Sequence, residues 1–180
     1  QDAKGCSTSM QVTDEDLYTP QVIYKSGRHT FTRKGIGTRY VVMAVRTLVD
    51  PGNADDVKQA HALQDAITVE QTGGPGTFDP PKWDPVSQKK VRDALLVLAS
   101  TLPDTRNSFG TKGETDPVRR LISAASAWGG NPDKDAVYLN YAPQKNDGKT
   151  VYRLHAKDVP VDGFWSVSVY NAKGYYEPNP

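Results

Sequence analysis

One cysteine, Cys6, stands among the 180 residues, so no disulfide can form within the chain and cysteine usage says nothing of compartment. No His or Asn neighbour marks Cys6 as a nucleophile, and it reads as a buried or incidental thiol. Charge of one sign is lacking too: 22 Lys+Arg against 21 Asp+Glu leaves +1, which gives no basic field to draw nucleic acid or an anionic membrane. No apolar run approaches the ~20 residues that cross a bilayer. The longest, YVVMAV at 40–45, suits a buried strand. The three histidines, His29, His61 and His155, share no i,i+4 spacing and lie in different segments, so no metal site is assigned. Nucleotide and serine-hydrolase signatures are missing as well. GTKGET at 110–115 lacks the spacing and preceding strand of a phosphate loop, which makes Lys112 a loop cation, and GGPG at 73–76 has no strand-to-helix context. No G-x-S-x-G elbow occurs. Catalytic residues are unassigned, no cofactor is implied, and whether the chain is an enzyme stays open.

What the sequence does contain falls into strands, helices and strands. SMQV, PQVIY, HTFTR and TRYVVMAVRTL read as strands of the first quarter, with KSGR and RKGIG as glycine turns between antiparallel neighbours. VVMAV is apolar on both faces and predicts a central strand buried between two layers of a sandwich or barrel. Three helices follow. The first takes Asn53 as N-cap, Asp55 and Asp56 in its first turn, and a stripe of Val57, Ala60, Leu63 and Ile67. Asp84-Pro85 opens the second, with Val91, Ala94, Leu95, Leu98 and Leu102 along one face and Pro103 as its stop. Asp116-Pro117 opens the third, lined by Val118, Leu121, Ile122 and Ala125 and ended by Gly129-Gly130. Between the first two, the Gly/Pro-rich stretch 71–85 reads as an ordered surface loop.

The last third returns to strands: AVYLNY and KTVYRLHAK flank an NDG turn, and GFWSVSVY sets Trp165, Val167 and Val169 against Phe164, Ser166, Ser168 and Tyr170. Only Tyr175, Tyr176 and Glu177 remain before Pro178 and Pro180, too few for a return strand. Candidate ligand groups are few. Glu15 and Tyr18, in the acidic stretch TDEDLYTP, could line a pocket mouth, while Trp128 either packs on the sheet or projects into a cleft. Asn140 and Trp165 complete the candidates, the aromatics concentrating in the last third where they suit strands or sugar stacking alike.

Taken in order, SMQVTDEDLYTPQVIY, GTRYVVMAVRTLVDP, HALQDAI, KKVRDALLVL, DPVRRLISAASAWGGNP and AVYLNYAPQKNDGKTVYRLHAKDVPVDGFWSVSVYNAKGYYEPNP resemble the bacterial exported proteins known as domains of unknown function 1254 and 1214. The stretch from Asp162 to Tyr170 carries the most specific part of that resemblance. One departure is Leu17, where the family often has a His before the Tyr. Kinship implies a longer protein of which these residues are the interior, with a removed N-terminal export segment and a periplasmic or secreted location. It also implies a fold of class α+β, mainly β: two antiparallel β-sandwich, jelly-roll-like modules joined by a helical segment. On that plan residues 1–71 form the N-terminal β module, 72–135 the helical connection, and 136–180 the start of an incomplete C-terminal module.

The expected function is binding of a small molecule or carbohydrate in a cleft between the modules through Glu15, Tyr18, Trp128, Asn140 and Trp165, with neither nucleic acid nor membrane as partner. Two alternatives stand beside it. One is a hydrolase working through convergent polar groups such as Glu15, Tyr18 and Asn140; the other is a structural or interaction module that pairs with missing chain segments or another subunit.

Overall fold

A computed structural model describes residues 8–127, 129–162, 164–171 and 175–176. The chain divides into two compact units, Gln1–Asn140 and Tyr141–Pro180. In the first, strand β1 (Thr8–Asp14) is the centre of a three-stranded antiparallel sheet, flanked by β2 (Gln21–Ile23) and β3 (Val41–Thr47). The register sets Gln11 opposite Val22 on one side and Ala44 on the other. Strand alternation puts Gln11 and Thr13 on one face of β1 and Val12 and Asp14 on the other. All four are buried, with Gln11 at 1% exposure and Val12 at 0%, so the middle strand is covered on both faces.

A buried carboxamide is costly unless its donors and acceptor are met. Gln11 meets them across the fold. Its Nε2 donates to the carbonyls of Gly129 and Gly130, each at 2.9 Å, with the Thr19 hydroxyl at 3.4 Å, and its Oε1 accepts from Arg46 Nη1 at 3.0 Å. One side chain therefore joins β1 to β3, to the turn before β2 and to the segment after the last helix.

The expectation of VVMAV as a central strand fails. That segment is β3, an edge strand of the sheet, with Val42 65% and Met43 40% exposed. Apolar composition predicted burial, but the centre went to the strand whose polar groups found partners on neighbouring segments. HTFTR at 29–33 is not a strand either. The Thr32 hydroxyl accepts from Gly35 N at 3.1 Å and caps a single helical turn, α1 (Arg33–Ile36), closed by Gly37 at φ 96 in the left-handed region.

The three longer helices start where their caps predict. Asn53 accepts from the amides of Asp55 and Asp56 at the head of α2 (Ala54–Asp65), Asp84 from Val86 and Ser87 at α3 (Pro85–Ala99), and Asp116 from Val118 and Arg119 at α4 (Pro117–Ser126). Their stripes are covered unequally. Ala60 is buried on α2 while Ile67, beyond its end, is exposed. α3 packs against α4 yet buries none of its residues: of the foreseen face Leu95 is half-buried, Val91, Ala94 and Leu98 are exposed, and Leu102 lies beyond the helix's end. α4 buries Ile122, Ser123 and Ala125, leaves Val118 and Leu121 outside, and ties its middle to the preceding loop through Ser123 Oγ donating to Ser108 Oγ at 2.8 Å.

Phe109, in that loop, is buried against Gly130, where an added Cβ would stand 2.5 Å from Phe109 Cε2. Here glycine is required by a neighbouring ring rather than by backbone conformation.

Beyond Asp135 the three foreseen strands form no ladders among the described residues. An isolated bridge joins Tyr170 to Tyr176, whose rings stack at 4.7 Å. AVYLNY contributes one bridge, Leu139 to Asp104, within the first unit. The NDG signal does make its turn: Asp147 accepts from Lys149 N, Thr150 N and Thr150 Oγ1, and Tyr152 Oη accepts from Lys145 N at 2.7 Å. A turn closes on local chemistry, whereas a strand needs a partner. Val151 stays 92% and Trp165 54% exposed. Two β-sandwich modules are thus not what this chain forms; the described residues hold one three-stranded sheet and four helices.

Replacing Gln11 by Leu keeps the volume but strands two glycine carbonyls, and should lower the unfolding free energy by about 2–3 kcal/mol in urea titrations. Gly130→Ala, which forces Phe109 to move, should cost about 1–3 kcal/mol. An unchanged urea midpoint for Gln11→Leu would show that the carboxamide does not hold these segments together.

Candidate functional site

The turn between β1 and β2 is built by Asp14. Its Oδ1 accepts from Asp16 N at 3.0 Å and Tyr18 N at 2.9 Å, its own N donates to Tyr18 O at 3.0 Å, and its carbonyl takes Leu17 N at 3.1 Å. Leu17 consequently sits at φ 63, a left-handed conformation that costs a non-glycine residue roughly 1–2 kcal/mol. Thr19 N then donates to Gly110 O at 2.8 Å and docks the turn on the loop before α4. Tyr18, half-buried, is presented on a backbone fixed from both sides.

Two cations lie against its ring. Arg120 Cζ stands 4.6 Å and Lys112 Nζ 5.3 Å from the Tyr18 centroid, within the range of cation–π attraction. Arg120 Nη1 also donates to Asp16 O at 2.6 Å, while its Nε is buried with no acceptor. Among the described residues neither Arg120 nor Lys112 pairs with a carboxylate. The Tyr18 hydroxyl likewise bonds to nothing described. Arg119, the other basic residue in the first turn of α4, is satisfied: it donates to Arg106 O and Asp104 O and meets Asp104 Oδ1 at 2.8 Å.

Glu15 has a different task. Its Oε2 accepts from Arg39 N at 2.7 Å and Tyr40 N at 3.0 Å, and its N donates to Thr38 Oγ1, so the carboxylate braces the entry into β3. Tyr40 extends that brace by stacking edge-on against Phe78, its hydroxyl donating to Thr77 O and accepting from Asp79 N.

A second place with chemistry lies along β2. Gln21, Val22, Ile23, Tyr24, Lys25 and His29 line an open hollow of about 410 Å³. The Tyr24 hydroxyl donates to Asp135 Oδ1 at 2.5 Å, while Asp135 Oδ2 is buried without a partner. Partial desolvation of a ring that stays 61% exposed, then the hydrogen bond and the negative charge of Asp135, push the Tyr24 phenol up to about 12. His29 Nε2 is occupied by Lys25 O at 2.9 Å.

Of the residues singled out from sequence, Glu15 and Tyr18 share one turn, as their spacing required. Asn140 is exposed, with no contact to that turn among the described residues, and Trp165 is exposed in the second unit. Trp128 and Cys6 lie outside the described residues. The approach of Lys112 and Arg120 to the Tyr18 ring was not foreseen. One signal could have found Arg120: two arginines in the first turn of α4 oppose the helix dipole, and each then needs a reason to be there. No group of three or more His, Cys, Asp or Glu able to hold a metal occurs among the described residues, nor does a helix long and apolar enough to cross a membrane. Comparison with known proteins finds no family model, no curated protein and no solved structure that matches the chain.

The raised Tyr24 value has a definite sign. A phenol harder to ionise in the folded state stabilises the fold fully below the ordinary value of 10.0, and that contribution is lost as pH rises towards about 12. Carbon-13 NMR of ring-labelled tyrosines should show one late-ionising phenol that disappears in Tyr24→Phe and moves down in Asp135→Asn. Ionisation of all tyrosines together near 10 would contradict the Tyr24–Asp135 contact.

Proposed function

We propose that this chain is a binding module that takes a small polar molecule at the Tyr18 turn. The observation that carries the reading is a half-buried tyrosine held rigidly by Asp14 and Thr19, with its hydroxyl, Lys112 Nζ and one arm of Arg120 left without acceptors among the described residues. Ligand sites commonly combine such a fixed ring with a few unspent polar groups. Because cations already lie against the Tyr18 ring, the reading favours polar contacts over sugar stacking there. It also moves the site away from a cleft between two sandwiches, which the chain does not form.

The hydrolase alternative draws no support from these groups, since Glu15 spends Oε2 on two backbone amides and Asn140 makes no contact with the turn among the described residues. The interaction-module reading does have an observation behind it: Val86, Val91, Val97 and Leu98 leave much of α3 apolar and exposed. Kinship with the exported 1254/1214 proteins, and with it a periplasmic or secreted location, is proposed on the quoted motifs alone.

Nitrogen-15 NMR against a panel of small polar metabolites and sugars tests the binding reading. Saturable shifts should be confined to amides of 14–19 and 110–120, and Tyr18→Ala should abolish them. A panel member that binds elsewhere while those amides stay still would refute the assignment of the site.

A further inference from the structure

Resting on that reading of the Tyr18 turn, we infer that its ligand is a small oxyanion, a carboxylate or a phosphate. Three donors gather about one ring, and none has an acceptor among the described residues: the Tyr18 hydroxyl, Lys112 Nζ and Arg120 Nη2. Two of them are cationic. A neutral ligand would leave both charges uncompensated, while an oxyanion accepts from all three donor types and adds Coulombic attraction.

The neighbouring acids do not already fill that role. Asp14 Oδ1 is taken by the turn amides, Glu15 Oε2 by Arg39 N and Tyr40 N, and Glu114 Oε2 by Thr111 N and Oγ1, with Lys134 3.8 Å from Oε1. Hydrogen bonds from Thr111 hold Glu114 below its usual value, so its charge persists without pairing Lys112. Asp16 turns its carbonyl to Arg120 and leaves its exposed carboxylate without a described partner. The end of α4 is not itself the anion site, because the cap Asp116 already accepts from Val118 N and Arg119 N at 2.8 and 2.9 Å. Recognition therefore belongs to the side chains of Tyr18, Lys112 and Arg120.

The test uses the whole chain with three probes: succinate, inorganic phosphate and the neutral succinamide. Succinate, phosphate or both should shift the 14–19 and 110–120 amides saturably, with succinamide about fivefold weaker or worse. Which anion binds more tightly distinguishes carboxylate from phosphate as the natural group. Lys112→Gln should weaken the anion about fivefold, Asp16→Asn should tighten it, and Lys89→Gln, which removes the same charge from α3, should leave it unchanged. Raising ionic strength from about 0.01 to 0.1 M, which shortens the screening length from roughly 30 to 10 Å, should weaken binding further. Equal affinity for succinate and succinamide would overturn the oxyanion inference while leaving a polar site at Tyr18 standing. Equal losses in Lys112→Gln and Lys89→Gln would overturn it as an effect of net charge alone, and no response of these amides to any probe would count against both.

Discussion

The carboxamide of Gln11 is the constraint on which the rest of the first unit depends. It is buried at the centre of the sheet, where an unmet donor or acceptor costs about 1–3 kcal/mol, and its bonds reach partners up to 119 residues away. By taking the carbonyls of Gly129 and Gly130 it fixes where the chain emerges from α4. Its contact with Arg46 sets the position of β3, and Thr19 brings in the turn before β2. The apolar core is small, with Val12, Ala60, Phe109, Ile122 and Ala125 buried among the described residues. Polar closure around Gln11, Thr19, Ser108 and Ser123 consequently decides how the helices meet the sheet.

That closure also explains the site. The turn 14–19 lies between the Gln11 cluster and the loop 105–116, joined to the loop by Thr19 and to α4 by Arg120. Tyr18 is thereby held against two cations that come from a loop and a helix far along the chain. Arg119 shows the structural alternative within the same helical turn: its charge is spent on Asp104, and it locks the loop. Arg120 instead meets the Tyr18 ring and the Asp16 carbonyl, and its second arm has no acceptor among the described residues.

What the sequence disclosed was mainly local. Asn53, Asp84 and Asp116 were legible as caps because an Asx side chain bonds amides two or three residues ahead, and β1 and β2 were legible as short strands set between turns. The order of strands was not. Apolarity made Val41 to Val45 look central, but position in the sheet followed the long-range bonds of Gln11, to which no local pattern points. The reading of HTFTR as a strand overlooked Thr32 and Gly37, which cap a single helical turn. Lys112 and Arg120 acquire meaning only when the loop and helix that carry them reach Tyr18. The alternation of 149–157 and 164–170 builds no ladder among the described residues beyond the Tyr170–Tyr176 bridge, and Val151, Leu154, Val167 and Val169 stay exposed.

The most direct test of this account is the exchange of the Gln11 side-chain amide protons with water, followed by NMR together with their through-space contacts. If the carboxamide closes the unit, both protons exchange far more slowly than those of an exposed glutamine and show contacts to the Gly130 α-protons. Rapid exchange with no contact to residues 129–130 would mean that the sheet and α4 are held by something else, and that the Tyr18 turn has no fixed place against Arg120.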